Sequence, residues 1–109
     1  MARRTRPAQW HTQNFLRDPA LARLLLDRAE LTERDLVYEI GAGTGTITAA
    51  LADRCRAVVA NEIDGPLCDT LRTRFAQRRN VRVRCGDFLA EPLPGEPYKV
   101  FANPPFDIT

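Results

Sequence analysis

The 109-residue sequence predicts an α/β domain built on a parallel sheet. Short apolar runs at 36–40 and 57–61, a valine–arginine alternation at 81–85 and a further run at 98–102 have the length of strands. Segments with helical spacing separate the first three of them, and a glycine-rich turn directly follows the first. Strands alternating with helical segments argue for right-handed βαβ units, because parallel neighbours need a crossover between them.

Each element has a local reason. Asp18-Pro19 is an N-cap followed by proline at N1, and Leu21, Leu24 and Leu25 continue the helical spacing, so a helix is expected over about 19–29. Leu36 to Ile40 is the first strand and runs into Gly41-Ala42-Gly43-Thr44-Gly45. A helix near 46–54 places Ile47, Ala50 and Leu51 on one face. Ala57 to Asn61 is the second strand. Asp64 caps the next helix, with Pro66 in its first turn and Leu67, Leu71 and Phe75 spaced four apart. Val81 to Cys85 alternates valine with arginine. The stretch from Glu91 to Pro97 holds three prolines and a glycine and reads as loop before a fourth strand, Tyr98 to Ala102.

Composition narrows the class. The chain is 44% apolar and 28% charged, as expected of an ordinary globular protein. No run approaches the roughly 18 apolar residues of a membrane span. The basic start lacks the apolar stretch of a secretory signal. Cys55, Cys68 and Cys85 are odd in number and lack CxxC spacing, so they are expected as buried thiols in a reducing cytoplasm and not as a disulfide or zinc framework. No metal site is expected. Net charge is +2, but Arg3, Arg4, Arg6 and Arg17 form one acid-free stretch and Arg72, Arg74, Arg78, Arg79, Arg82 and Arg84 another. Arginine suits bidentate phosphate contact, so these read either as an RNA-binding surface or as a solvated face.

The motifs at the strand ends carry the chemistry. A GxGxG turn lets backbone approach a ligand where a side chain would clash. It is not the dinucleotide fingerprint, since Thr46 stands where that third glycine would fall. This favours S-adenosylmethionine over a nicotinamide cofactor, with Gly41 and Gly43 lying against its methionine part. Glu62, 21 residues after Gly41, is placed to accept from both ribose hydroxyls, with Ile63 packing on the adenine. Asp87 after the third strand can accept from the cofactor's adenine amino group, beside Phe88. Each also has a plain reading as a tight turn, a surface acid or an ordinary Gly-Asp turn.

Asn103-Pro104-Pro105-Phe106 is the most specific motif. The Asn103 amide oxygen and the Pro104 carbonyl can each accept one N–H of a planar exocyclic amine, turning its lone pair towards a methyl donor. Phe106 can stack on the base, an interaction worth about 1–3 kcal/mol. The target base must be flipped out or presented in a loop. A plain Asn-Pro turn is the bland alternative. Methyl transfer from a sulfonium needs no strong base, so His11 is assigned none.

The order Gln-Asn-Phe-Leu, Glu-Ile-Gly-Ala-Gly-Thr-Gly, Asn-Glu-Ile-Asp, Gly-Asp-Phe-Leu, Asn-Pro-Pro-Phe resembles the rRNA adenine N6-methyltransferases, and within them the erythromycin-resistance (Erm) type that modifies 23S rRNA. The resemblance covers about 11–109. It implies a class I, Rossmann-like S-adenosylmethionine-dependent fold, represented by its first four parallel strands with flanking helices. It implies cofactor contacts at Asn14, Leu16, Gly41, Glu62, Asp87 and Asn103, and 23S rRNA as partner. The family's usual last motif is Asn-Ile-Pro-Tyr or Asn-Leu-Pro-Tyr, so Pro105 and Phe106 depart from it. On this reading residues 1–12 are a basic arm and 13–109 the N-terminal part of a catalytic domain. The chain is expected to be a fragment without the family's C-terminal helical domain, monomeric, cytoplasmic and not membrane-bound. The small-subunit rRNA adenine dimethylase and a non-catalytic cofactor- or RNA-binding fragment remain as alternatives.

Overall fold

A computed structural model describes residues 18–90 and 92–102 of the chain. The elements, in order, are α1 (Pro19–Asp27), β1 (Leu36–Ile40), α2 (Thr46–Ala52), β2 (Ala57–Glu62), α3 (Gly65–Arg74), β3 (Val81–Cys85), a 3₁₀ turn (Phe88–Ala90) and β4 (Lys99–Ala102). The four strands form one parallel sheet in the order β3-β2-β1-β4. The chain therefore steps outward from β1 through β2 to β3, then crosses to the other side of β1. That reversal opens a crevice at the carboxyl ends of the strands, where ligands bind in open α/β sheets.

The helices start where their caps dictate. The Asp18 carboxylate accepts from Ala20 N at 2.9 Å, and Asp64 accepts from Leu67 N at 3.1 Å. Both helices have proline in the first turn, where the missing N–H costs nothing. α1 and α2 stop two residues before the expected ends at Ala29 and Arg54.

Strand alternation divides the core. Val37 and Val58 point to the face covered by α1 and α2, meeting Ala22, Leu26, Ile47 and Leu51. Ala60 faces Leu71 and Phe75 of the α3 end on the same side. Leu36, Tyr38 and Val59 point the other way, where Phe88 and Tyr98 pack on them. Tyr38 meets Phe88 edge-on at 5.7 Å between ring centroids and Tyr98 at 5.5 Å.

The cysteine expectation needs correcting. Cys68 and Cys85 are joined in a disulfide between α3 and the end of β3, with Cα atoms 5.8 Å apart. A 17-residue separation shows no pairing in sequence, but the α3–β3 packing brings the two side chains together. Cys85 is exposed, not buried as expected. Cys55 fits the expectation: it is a buried free thiol, and burial pushes its pKa up.

Residues 1–17, Glu91 and 103–109 lie outside the described residues. The basic arm over 1–12 and the site assignments at Asn14, Leu16, Asn103, Pro104 and Phe106 fall there.

Candidate cofactor site

The glycine loop is shaped by two different demands. Gly41, Gly43 and Gly45 all have positive φ, at 78°, 59° and 96°. At Gly45 a side chain is also excluded by packing, because an added Cβ would lie 2.7 Å from Phe75 Cε2 and 3.0 Å from Leu71 Cδ2. At Gly43 an added Cβ would meet nothing within 4 Å. One glycine therefore seats the loop on α3, while the other faces open space.

Glu62 ties the loop to β2. Its Oε1 accepts from Gly43 N at 2.7 Å and its Oε2 from Asp64 N at 3.0 Å. Each carboxylate oxygen has two acceptor directions, so these bonds leave capacity for a ligand's hydroxyls. On the loop's other side, Arg74 Nη1 donates to Thr44 O at 2.7 Å while its guanidinium stands 5.3 Å over the Phe75 ring. The loop backbone is thus held at Gly43 by a carboxylate and at Thr44 by a guanidinium.

Beside it lies a cleft of about 390 Å³ lined by Ile40, Gly41, Asn61, Ile63, Gly86, Asp87, Phe88 and Leu89. Such a volume is in the range of small-molecule sites. Ile63 and Leu89 are 75% and 84% exposed, apolar side chains left uncovered at its rim. The Asp87 carboxylate accepts from Leu89 N at 2.9 Å, which sets the 3₁₀ turn. The structure brings Gly41, Ile63, Asp87 and Phe88 together around this cleft. Gly43 and Glu62 join at its edge through their hydrogen bond.

The sequence reading missed residues behind the loop. Glu39 is fully buried in β1, where its Oε1 accepts a hydrogen bond from the Thr48 hydroxyl. Burial pushes its pKa up from the ordinary 4.5 to about 8; the Thr48 bond opposes this and the Glu62 carboxylate adds to it. Asn61, 3% exposed, donates from Nδ2 to Glu39 O at 2.9 Å and Val59 O at 3.1 Å, while its backbone carbonyl accepts from Gly41 N and Ala42 N. The available signal was a charged and a polar residue inside otherwise apolar strands, positions that are costly unless satisfied.

The arginine run over 72–84 divides. Arg74 bonds the loop, Arg78 pairs with Asp53 at 2.9 Å, and Arg84 stands over Tyr38 at 5.9 Å. Arg72, Arg79 and Arg82 are exposed.

The ribosomal RNA adenine dimethylase family model matches residues 7–109. The chain belongs to this family. An rRNA adenine N-6-methyltransferase of Streptomyces fradiae is 41% identical over 100 residues, which cover 90% of this chain and 31% of that protein. A ribosomal RNA small subunit methyltransferase A of a Synechococcus species is 39% identical over 109 residues, covering 94% and 39%. The crystal structure of the 23S rRNA methyltransferase ErmE superposes with a TM-score of 0.72 at 38% identity, over 81% of this chain and 36% of that one. The fold of this dimethylase-family chain is that of the class I S-adenosylmethionine-dependent methyltransferases. The chain spans about a third of the length of these curated relatives. Among the described residues no helix is long and apolar enough to cross a membrane, and no three His, Cys, Asp or Glu side chains group as for a metal ion.

Proposed function

We propose that this chain is the cofactor-binding part of an S-adenosylmethionine-dependent rRNA (adenine-N6)-methyltransferase of the Erm type. It acts on 23S rRNA, as a cytoplasmic monomer without a metal, and so protects the ribosome from macrolides. The observation that carries the reading is the set of strand ends at one cleft: the glycine loop after β1, Glu62-Ile63 at the end of β2 and Asp87-Phe88 after β3. These are the groups an adenosine cofactor needs, in the order its parts require them. Gly43 leaves room for the methionine part, and Glu62 has free acceptor directions for the ribose. Ile63 and Phe88 bracket the adenine, and Asp87 accepts from its amino group.

Bound S-adenosylmethionine would supply an electrophilic methyl group. The chain's own residues orient the acceptor. β4 ends at Ala102, paired with Ile40 just before the glycine loop, and Asn103 is the next residue. The Asn103 amide oxygen and the Pro104 carbonyl hold the amine of a flipped adenine, and Phe106 stacks on its ring. Asn14 and Leu16, assigned by resemblance, close over the methionine end.

The small-subunit dimethylase is the second reading, favoured by the 39% identity to the Synechococcus protein. The reading frame containing this chain, offered radiolabelled S-adenosylmethionine with 23S or 16S rRNA fragments, separates them. Methylated adenine in 23S rRNA alone is expected, and methylation of 16S rRNA alone would move the assignment to the second reading. Cofactor binding with no methyl incorporation would leave a binding fragment. In the same assay Asn103→Ala should cut kcat by on the order of 10²-fold or more, as for loss of an acceptor realised in the transition state. Full activity in that variant would remove Asn103 from the catalytic role.

A further inference from the structure

Among the described residues β3 lies at one end of the strand order, with β2 as its only neighbour. Its last residue, Cys85, pairs in register with Glu62, and the next residue, Gly86, donates its N–H to Glu62 O at 2.9 Å. Gly86 has φ +121°, a hinge that turns the chain into Asp87 and Phe88 at the cleft. An edge-strand end held by so few backbone bonds belongs to the low-stability part of a fold.

The disulfide ties this strand end to α3. Cys68 is 1% exposed in α3, and its N–H donates to Asp64 O at 2.9 Å. Asp64 N in turn donates to Glu62 Oε2 at 3.0 Å. A closed circuit therefore runs Glu62–Asp64–Cys68–Cys85 and back to β2, next in sequence to Ile63 and Gly86, which line the cleft. Cys85 is an exposed residue whereas Cys68 is buried, so Cys85 is the partner that attack would reach first.

We propose that Cys68 and Cys85 form a reversible thiol–disulfide site that takes small-molecule thiols and disulfides, and that its closed form holds Asp87 in place for the cofactor. An external thiolate attacks the Cys85 sulfur, the Cys68–Cys85 bond breaks, and Cys68 leaves as a thiolate that takes up a proton. A second thiol attacks the mixed disulfide on its external sulfur and releases Cys85 as a thiol with a small-molecule disulfide. Two electrons pass from the two external thiols to the protein, and a small-molecule disulfide as oxidant reverses both steps. Cys55 takes no part, being a buried free thiol. The effect on affinity rests on the S-adenosylmethionine reading of the cleft. If the reduced edge holds Asp87 in place about a third of the time, binding weakens about threefold.

The chain is equilibrated with glutathione disulfide or with dithiothreitol, alkylated, and mapped by peptide mass. S-adenosylhomocysteine is then titrated calorimetrically into each form. Expected are Cys68 and Cys85 protected from alkylation in the oxidised form and labelled in the reduced one, with about threefold or greater loss of affinity on reduction. Cys55→Ser should keep this response, and Cys85→Ser should lack it and bind like the reduced protein. Free Cys68 and Cys85 after oxidation, or equal affinities in the two forms, would overturn the proposal. If neither form binds the nucleoside, the cofactor reading fails. Amide exchange over 86–89 then decides: faster exchange on reduction supports the site, and unchanged exchange overturns it.

Discussion

Gly43 and Gly45 share a positive φ but should fail in different ways. Gly45→Ala forces a Cβ to within 2.7 Å of Phe75 in a left-handed backbone. Overpacking of that kind costs about 1–3 kcal/mol and the backbone about 1–2 more, so the melting temperature should fall clearly. Gly45→Ala/Phe75→Leu should recover the steric share and leave the backbone share, giving a non-additive pair. Gly43→Ala meets nothing within 4 Å, so stability should drop only by the backbone share, about 1–2 kcal/mol. Its methyl group instead enters the space assigned to the methionine part, and calorimetry with S-adenosylhomocysteine should show the larger loss there. Glu62→Ala should weaken the same ligand by about 1.5–3 kcal/mol, the range for hydrogen bonds to a charged group. Unchanged affinity in that variant would remove Glu62 from the ribose site.

At the level of elements, α3, β3 and the turn between them carry six arginines with two duties. Arg74 and Arg78 are engaged within the protein, while Arg72, Arg79 and Arg82 project from it. Replacing Arg72, Arg79 and Arg82 with alanine should flatten the salt dependence of rRNA-fragment binding by up to about 0.7 per lost phosphate contact. Folding should change by no more than about 0.5 kcal/mol at each site. Arg74→Met should do the reverse, weakening cofactor binding through the Thr44 bond while leaving the salt slope nearly intact. Filter binding across a salt series checks both slopes, and an unchanged slope in the triple variant would make Arg72, Arg79 and Arg82 a solvated face.

For the whole molecule, the buried Glu39 carboxyl couples stability to pH. Its folded-state pKa, raised by burial to about 8, lies above the ordinary 4.5. The unfolded chain therefore releases this proton first. The stability tied to the protonated form is fully present below about pH 4.5 and is lost progressively up to about pH 8. One such group contributes a slope of at most about 1.4 kcal/mol per pH unit in that window. Glu39→Gln keeps the shape and the Thr48 bond, so denaturant unfolding from pH 5 to 8.5 should lose this component of the slope. An unchanged profile would show that Glu39 ionises normally.

Local chemistry made much of this architecture legible before any coordinates. Asp18-Pro19 and Asp64 marked helix starts because capping is decided within three residues, and both caps form as expected. Apolar runs located β1 and β2, since a strand buried on both faces needs a nearly unbroken apolar stretch, while β3 showed as a valine–arginine alternation and glycine spacing marked the loop. The motif order and the resemblance it carries led to the family that the comparison identifies. What the chain's linear order could not contain is which side chains meet across the sheet. Cys68 and Cys85 looked like isolated thiols until α3 packed beside β3. Arg74 looked like one more surface charge until α3 ended under Thr44. Glu39 and Thr48 are nine residues apart, and only the turn between β1 and α2 buries them as a pair. Capping, turn and strand signals act between neighbours in the chain, whereas disulfides, loop clamps and buried acids depend on distances that exist only after the sheet has assembled.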